Sequence, residues 1–243
     1  MSGYSVLPVN GLPELRQGDD LAAMILERVD LVDRDIVVVA QKAISKVEGR
    51  IVRLDEIEPS DQAREIAGDE EDPRRIEAIL REAKSIIRIR GPLVICETHD
   101  GFICASAGVD ASNTTEAGTL ILLPVDSDAS AAALRDTLQE RSGREVGVIV
   151  TDSFGRPWRQ GTIDVAIGAA GVVVLEDLKG RRDSVGHQLR STVIAVGDEI
   201  ASAAQLAAGK LDRIPVTIVR GLDLRGDGRA QEIPVPAERD LFR

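Results

Sequence analysis

The chain has 243 residues, a hydrophobic share of 43% and a formal net charge of −11 at pH 7. This length can bury a substantial core, either as one large domain or as two small ones. The negative charge argues against a broad nucleic-acid or anionic-membrane surface, because such partners need a positive field. No apolar run approaches the roughly 18 residues of a membrane span, and the N-terminus lacks a signal peptide's basic start. A cytoplasmic location is therefore predicted.

The two cysteines, Cys96 and Cys104, lack the spacing of a disulfide framework or a zinc site. They flank the predicted turn at 99–101 of a hairpin, so they could still be neighbours. In a cytoplasmic protein, free and buried thiols are the favoured interpretation.

Strands and helices alternate along much of the chain. Short apolar runs predict strands at 5–9, 35–40, 85–90, 93–98, 102–106, 118–124, 146–150 and 215–220. Helices are predicted at 60–67, 73–84, 126–142 and 198–208, with another beginning after Asp19 and Asp20. Expected helix signals are Ser60 as a cap, Pro73 in a first turn, Ser127 or Asp128 as a cap and Gly143 as a stop. Gly168 and Gly171 indicate close packing of the segment 163–174 against a neighbour.

Basic residues gather directly after the strand at 35–40. Lys42, Lys46 and Arg50 lie with Gly49 in the segment 41–50 of an otherwise acidic protein. This predicts a phosphate-binding loop, although the glycine-rich P-loop pattern is absent. Solvated surface lysines are the alternative, and these residues alone do not decide between the two.

A carboxylate follows the predicted hairpin strand at 102–106. Asp110 lies in the segment 107–113, where Gly108 permits a close backbone approach and Asn113 can read a ligand's polar edge. The alternative role for Asp110 is an Asx turn.

The segment 146–161 changes from a buried strand to polar residues. Thr151, Asp152 and Ser153 follow the β-branched run, and the glycines and proline beyond them predict an exposed turn. A carboxylate at the end of a buried strand can hold a metal ion, whereas the alternative is an Asp that satisfies turn amides. Just beyond, Arg156 and Arg159 can bind phosphate or carboxylate oxygens. Together these residue types indicate metal-assisted phosphate chemistry.

Five segments resemble one known family. They are SKVEGR at 45–50, AGVDASN at 107–113, TDSFGRPWR at 151–159, GDEIASAAQLAAGK at 197–210 and IPVTIVRG at 214–221. In this order they closely resemble the coenzyme F420-0:L-glutamate ligase family over nearly the whole chain. The resemblance implies a GTP-dependent enzyme that joins L-glutamate to the lactyl carboxylate of F420-0, a phosphorylated deazaflavin, and then extends a γ-linked polyglutamate tail.

The resemblance also implies an architecture and cofactors. The expected fold is α+β with a mixed sheet and one or two subdomains, and the expected assembly is a homodimer. Two Mg or Mn ions are expected, with potassium for some members. A single ligase domain is predicted over 1–243, without the C-terminal nitroreductase-like domain that some bacterial relatives carry.

Carried over by position, the resemblance assigns roles to individual residues. Asp110 and Asp152 match the carboxylates of the first metal ion, and Ser153 stands where the family commonly has Thr on the second. Lys210 falls about where some relatives place an acid or amide ligand, a role that a cation cannot fill. The matched GTP contacts are Leu12, Pro13, Glu14, Leu15, Gln41, Lys42, Lys46, Asn113, Ala208, Gly209 and Lys210, and the catalytic candidates are Lys46, Arg156 and Arg159.

The chemistry of ligation agrees with these residue types. A carboxylate does not react with an amine at neutral pH, so it must first be activated, here as an acyl phosphate formed from GTP. Metal ions and lysines would offset the developing charge. Two alternatives are a metal-dependent nucleotide phosphohydrolase, in which the same acids activate water, and a non-catalytic nucleotide-binding module.

Overall fold

The computed structural model describes residues 3–112, 114 and 116–241. Its strands are β1 (Ser5–Pro8), β2 (Ile36–Ala40), β3 (Ile51–Arg53), β4 (Ala83–Arg90), β5 (Leu93–Thr98), β6 (Ile103–Ala105), β7 (Thr119–Ile121), β8 (Gly147–Arg156), β9 (Arg159–Ala170), β10 (Glu176–Asp177), β11 (Val193–Ile194) and β12 (Val216–Arg220). Its α-helices are α1 (Leu21–Leu26), α2 (Gln41–Val47), α3 (Asp61–Ala67), α4 (Pro73–Glu82), α5 (Ser127–Ser142) and α6 (Val196–Ala208). Short 3₁₀ turns lie at Leu54–Glu56, Ser106–Gly108, Ala230–Glu232 and Ala237–Arg239.

The largest sheet is mixed, with the strand order β1-β12-β2-β8-β9. Strands β2 and β8 are parallel, with Ala40 opposite Thr151, and the other neighbours are antiparallel. The predicted α+β fold with a mixed sheet is confirmed. Because Ala40 lies opposite Thr151, the segment that follows β2 is brought close to Asp152 and Ser153 in the continuing strand β8.

This sheet and its helices form what we call the sheet region. Helix α5 packs on β8 and β9, and α6 packs on β9, β1 and β12. A Cβ at Gly168 would lie 2.2 Å from the carbonyl oxygen of Ser127, the first residue of α5. The close packing that the sequence predicted at Gly168 is therefore confirmed.

A second hydrophobic cluster lies within residues 51–122, which we call the middle region. It contains helices α3 and α4, the sheet β4-β5-β6 and the pair β3-β7. Ile76, Ile79 and Val94 are fully buried in this cluster, separately from the core of the sheet region. Whether the chain is one domain or two subdomains stays a prediction.

Several local signals act as predicted at the ends of helices. The Ser60 hydroxyl accepts a hydrogen bond from the Ala63 amide, and Gly143 ends α5 in the left-handed conformation at φ 66°. The cap of α5 was predicted wrongly. It is Asp126, whose carboxylate accepts from the Ala129 amide, because the helix begins one residue after it.

Two segments that were predicted as loops are regular structure. Residues 41–47 form α2, because Ala43 and Ile44 are buried against the core and a short helix can follow a strand without a loop. Strand β8 does not end at Val150. It continues to Arg156 because β9 pairs with it, and the chain reverses only at 157–158.

The hairpin β5-β6 places Cys96 directly opposite Cys104. Both thiols are free and buried, as predicted. Burial raises the pKa of Cys104 to about 12, and the nearby charge of Asp152 acts in the same direction. Of the helices in the described ranges, none combines the length and apolar character needed to cross a membrane.

Candidate active site

A cavity of about 750 Å³ opens where β2 ends, beside residues 151–153 of β8. The segment before α1, helix α2, strand β8 and the end of α6 supply its walls. Nearly all of the residues assigned by resemblance to the nucleotide line it, namely Leu12, Pro13, Glu14, Leu15, Gln41, Lys42, Lys46, Ala208, Gly209 and Lys210. Asn113 was predicted to join them, but it lies outside the described residues.

Helix α2 directs its two lysines to one side. Lys42 and Lys46 are four residues apart, which places them on the same face of a helix. The Lys42 ammonium lies 2.6 Å from a carboxylate oxygen of Asp110, and the buried Lys46 ammonium donates to Glu14. These lysines are therefore not solvated surface residues, and the cavity is the place where their charge is available to an anion.

Two of the predicted metal ligands lie on β8 beside an acid of β9. Register pairs Ser153 with Asp164, and the Ser153 hydroxyl donates to Asp164 at 2.6 Å. The Gln205 amide of α6 also donates to Asp164, at 2.7 Å. Asp152 and Ser153 line the cavity together with Asp164 and Gln205.

Asp164 and Gln205 were missed from the sequence. Asp164 is a carboxylate in a segment of small and β-branched residues, which is a signal in the sequence. Only the hairpin register shows that it faces Ser153. The side-chain amide beside these acids comes from Gln205. Position 210, where some relatives are expected to have an acid or amide ligand, carries a lysine. The Lys210 ammonium instead donates to the Ser153 hydroxyl at 3.0 Å.

The carboxyl groups differ in their electrostatic surroundings. Burial raises the pKa of Asp152 to about 7, and the charges of Asp164 and Asp110 add to this effect while Lys42 opposes it. Burial also disfavours ionised Asp110, but hydrogen bonds from Lys42 and Ser112 outweigh it and hold the pKa of Asp110 below its usual value. A positive charge near Asp152 is therefore stabilising.

The donor atoms fit a divalent cation that is shared with a ligand. Among the residues the structure describes, no three acidic, His or Cys side chains are close enough to enclose a metal ion. Mg²⁺ is commonly held by one or two carboxylates together with substrate phosphates. Asp110, Asp152 and Ser153 supply oxygen donors of that kind. Asp110 also accepts from the Ser112 amide at 2.6 Å, so the Asx turn that was the alternative is present as well.

The two arginines that were predicted as catalytic lie elsewhere. Arg156 and Arg159 are at the far end of the β8-β9 hairpin and do not line the cavity. Arg156 donates to the carbonyl of Gln160 at 3.3 Å, and Arg159 is exposed. Their catalytic role stays a prediction.

Comparison with known proteins gives a consistent result over the whole chain. A family model described as F420-0:Gamma-glutamyl ligase matches residues 11–221. The chain is 45% identical to the coenzyme F420:L-glutamate ligase of Methanopyrus kandleri, covering 100% of both chains. It is 43% identical to the protein of that name from Methanothermobacter thermautotrophicus, covering 99% of each, and 44% identical to that of Archaeoglobus fulgidus, covering 98% of this chain and 96% of the relative. The chain therefore belongs to the F420-0:gamma-glutamyl ligase family.

Proposed function

We propose that this protein is a GTP-dependent ligase that joins L-glutamate to F420-0 and then extends a γ-linked tail, releasing GDP and phosphate. One observation carries the proposal most strongly. Lys42 and Lys46 of α2 line one cavity together with Asp152, and Asp110 lies 2.6 Å from the Lys42 ammonium. The names of the relatives support the same substrates.

The nucleotide would bind with its phosphates toward the lysines. The chain carries a net charge of −11, so a triphosphate needs a local positive site. Lys42 and Lys46 supply that site, and a cavity of about 750 Å³ is within the range of small-molecule sites. The segments 12–15 and 208–210 would form the walls beside the nucleoside.

Mg or Mn ions would be held by Asp110, Asp152 and Ser153. When bound, they would offset the negative charge of the phosphates. With the nucleotide in place, Lys42 can move its hydrogen bond from Asp110 to a phosphate oxygen, because its side chain is long and flexible. Lys46 can exchange Glu14 for phosphate in the same way.

The bond changes follow from the substrates. A lactyl carboxylate oxygen attacks the γ-phosphorus, the bond from phosphorus to the GDP oxygen breaks, and an acyl phosphate forms. The glutamate amine then attacks the acyl carbon. A C–N bond forms, the amine loses a proton, and phosphate leaves with the former carboxylate oxygen. Lys46 stabilises the transferring phosphoryl group, and Arg156 and Arg159 are proposed to bind anionic groups of the acceptor.

Mass spectrometry of the products tests this function. Purified protein with GTP, Mg²⁺, F420-0 and L-glutamate should give F420 species extended by one and then more glutamate residues, with one GDP for each addition. Phosphate release that needs neither acceptor, without extended product, would instead identify a phosphohydrolase. GTP binding that is independent of metal, without turnover, would identify a binding module.

We also propose a homodimer that forms through strand β4. This strand is one of the two outer strands of its sheet, and Ile86, Ile87 and Ile89 are 37%, 36% and 44% exposed. An outer strand with exposed isoleucines can pair with the same strand of a second copy about a two-fold axis. Sedimentation velocity should show a dimer that Ile89→Lys weakens. A wild-type monomer at micromolar concentration would contradict the proposal.

A further inference from the structure

The turn of the β8-β9 hairpin carries the one tryptophan of the chain. Only Pro157 and Trp158 separate the two strands, because Arg156 pairs directly with Arg159. Trp158 has a φ of 56°, in the left-handed region that glycine favours and in which a bulky residue is strained. Its side chain is also 81% exposed. A large aromatic ring held in water on a strained backbone does not stabilise the fold, so its position indicates a role in binding.

The stem of this hairpin is fixed where it leaves the cavity. Phe154 of β8 packs edge-on against Phe102, with the ring centroids 6.5 Å apart, and Phe102 is buried. Ser153, the neighbour of Phe154, lines the cavity and pairs with Asp164 of β9. Paired strands therefore run directly from the cavity to the turn, and they set the position of Trp158 relative to the proposed reaction centre.

The length of this hairpin suits the length of the acceptor. Arg156 is three residues beyond Ser153 and Trp158 is five, so at the usual rise of a strand the turn lies roughly 10–17 Å from the cavity. In F420-0, a ribityl chain and a phosphate join the deazaflavin ring to the lactyl carboxylate, and these roughly ten single bonds span about 12 Å when extended. With its carboxylate beside Ser153, F420-0 would place its ring at the turn.

The residues beside Trp158 suit the charge of the same ligand. Arg156 and Arg159 lie opposite each other at the base of the turn. Arg159 is exposed, and the Nε atom of Arg156 is buried and has no hydrogen-bond partner in the part of the chain that the structure describes. F420-0 is anionic and must approach a chain with a net charge of −11. An aromatic ring between two guanidinium groups is suited to a planar ligand that carries negative charge.

We propose that Trp158 stacks on the deazaflavin ring of F420-0 and so holds the acceptor with its lactyl carboxylate in the cavity. This inference rests on the proposed function for the identity of the acceptor. It assigns the ring end of the acceptor to the hairpin turn, whereas the nucleotide and the metal ions are assigned to the cavity. Because the ring is far from the reacting atoms, loss of Trp158 should raise the KM for F420-0 and leave the KM for GTP unchanged.

The test uses two fluorescent probes, F420-0 and the same deazaflavin with its ribityl chain but without the phosphate and lactyl group. Binding of each probe to the full chain, in the absence of GTP, is followed by the fluorescence anisotropy of the deazaflavin. Trp158→Ala should weaken the binding of both probes about tenfold, as expected when a planar heterocycle loses its stacking on an aromatic side chain. Trp158→Phe keeps a smaller ring and should retain most of the affinity.

A matched variant separates stacking from a general loss of apolar surface. Val185→Ala truncates another apolar side chain, 74% exposed between β10 and β11, and should bind both probes as the wild type does. Circular dichroism melting checks that each variant is folded. If Trp158→Ala does not fold, Trp158→Gly carries the test, because glycine fits the positive φ.

Three results would overturn the inference. They are wild-type affinity of the Trp158 variants for both probes, a loss confined to F420-0 with the shorter probe unaffected, and no binding of the shorter probe by the wild type. Sedimentation velocity adds a fourth, since dissociation of a dimer in Trp158→Ala with unchanged affinity for F420-0 would place Trp158 in a protein interface. Failure of the proposed function has a different signature, because F420-0 would then bind through Trp158 but give no glutamylated product with GTP and glutamate.

Discussion

One acid of the sheet region and one acid of the middle region, Asp152 and Glu77, have opposite electrostatic surroundings. In the sheet region, Asp152 faces a cavity, and burial together with Asp164 and Asp110 raises its pKa to about 7. In the middle region, Glu77 accepts hydrogen bonds from the Ser60 hydroxyl and amide and from Arg81, and the Ser60 contacts lead in lowering its pKa to about 2.

This difference indicates that Asp152 is placed to bind a ligand, whereas Glu77 contributes to stability. The carboxylate of Glu77 is stabilised by partners within the fold, so it has little need of another cation. The ionised form of Asp152 is destabilised by its surroundings. A cation that binds beside it is therefore favourable. The account therefore predicts that the proposed metal ligands Asp110 and Asp152 control ligation and that Glu77 contributes to folding.

The largest expected effect is the loss of ligation in Asp152→Asn. Replacing this carboxylate removes a proposed metal ligand and leaves phosphate charge uncompensated, so turnover should fall about a thousandfold while the fold is kept. Asp110→Asn should behave in the same way. The measurement is steady-state product formation, with Asp177→Asn as a control because that acid is exposed on β10. Near-normal turnover of Asp152→Asn at ordinary metal concentration would remove this residue from the mechanism.

The reactivity of the two cysteines tests whether solvent reaches the hairpin β5-β6. Burial raises the pKa of Cys96 as well as that of Cys104, so little thiolate forms at pH 8. Both thiols should react with iodoacetamide roughly a hundredfold more slowly than a free thiol until the protein unfolds. Mass spectrometry follows the labelling. A mass two units low before reduction would show a disulfide and contradict the assignment of free thiols.

A smaller effect is expected from Lys46→Ala. Removal of the buried ammonium should raise the KM for GTP about tenfold, because a charge-assisted hydrogen bond to phosphate is lost. The KM for glutamate should change little. Lys84→Ala is the matched control, since Lys84 is 55% exposed and pairs with Glu97. A variant impaired only toward glutamate would move Lys46 from the nucleotide site to the amino-acid site.

The smallest effect is expected in the middle region, from Glu77→Gln. Because the folded-state pKa of Glu77 lies below its usual value of 4.5, its stabilisation is present above pH 4.5 and is lost as the pH falls toward 2. The variant should lose about 1 kcal/mol of unfolding free energy at pH 7, by urea denaturation. The difference from wild type should shrink between pH 4.5 and 2. Glu58→Gln, at an acid that is 89% exposed, should have little effect, and an equal loss there would argue against the specific role of Glu77.

Local signals in the sequence predicted the elements whose ends are set locally. Ser60, Pro73 and Gly143 mark helix ends through caps and backbone geometry, and these marks act over a few residues. The prediction failed where a distant segment decides. Strand β8 passes through Gly155 because β9 pairs with it, and no local signal carries that information.

The same reasoning explains what was found and missed in the site. Asp152 and Lys46 were candidates from the sequence because each lies in a polar segment that follows a buried strand, and the resemblance then assigned their roles. Asp164 and Gln205 are brought together by the register of a hairpin and by the packing of α6 on β9. Gln41 was assigned only by resemblance, and its place in the wall of the cavity becomes evident only in the structure.

The central claim is that the acceptor carboxylate is activated by phosphoryl transfer at this cavity. F420-0 labelled with ¹⁸O in its lactyl carboxylate would be ligated to glutamate, and the released phosphate would be analysed by mass spectrometry. The acyl-phosphate route predicts one ¹⁸O atom in each phosphate, because the carboxylate oxygen leaves with phosphorus when the amine attacks. Unlabelled phosphate alongside genuine ligated product would contradict it.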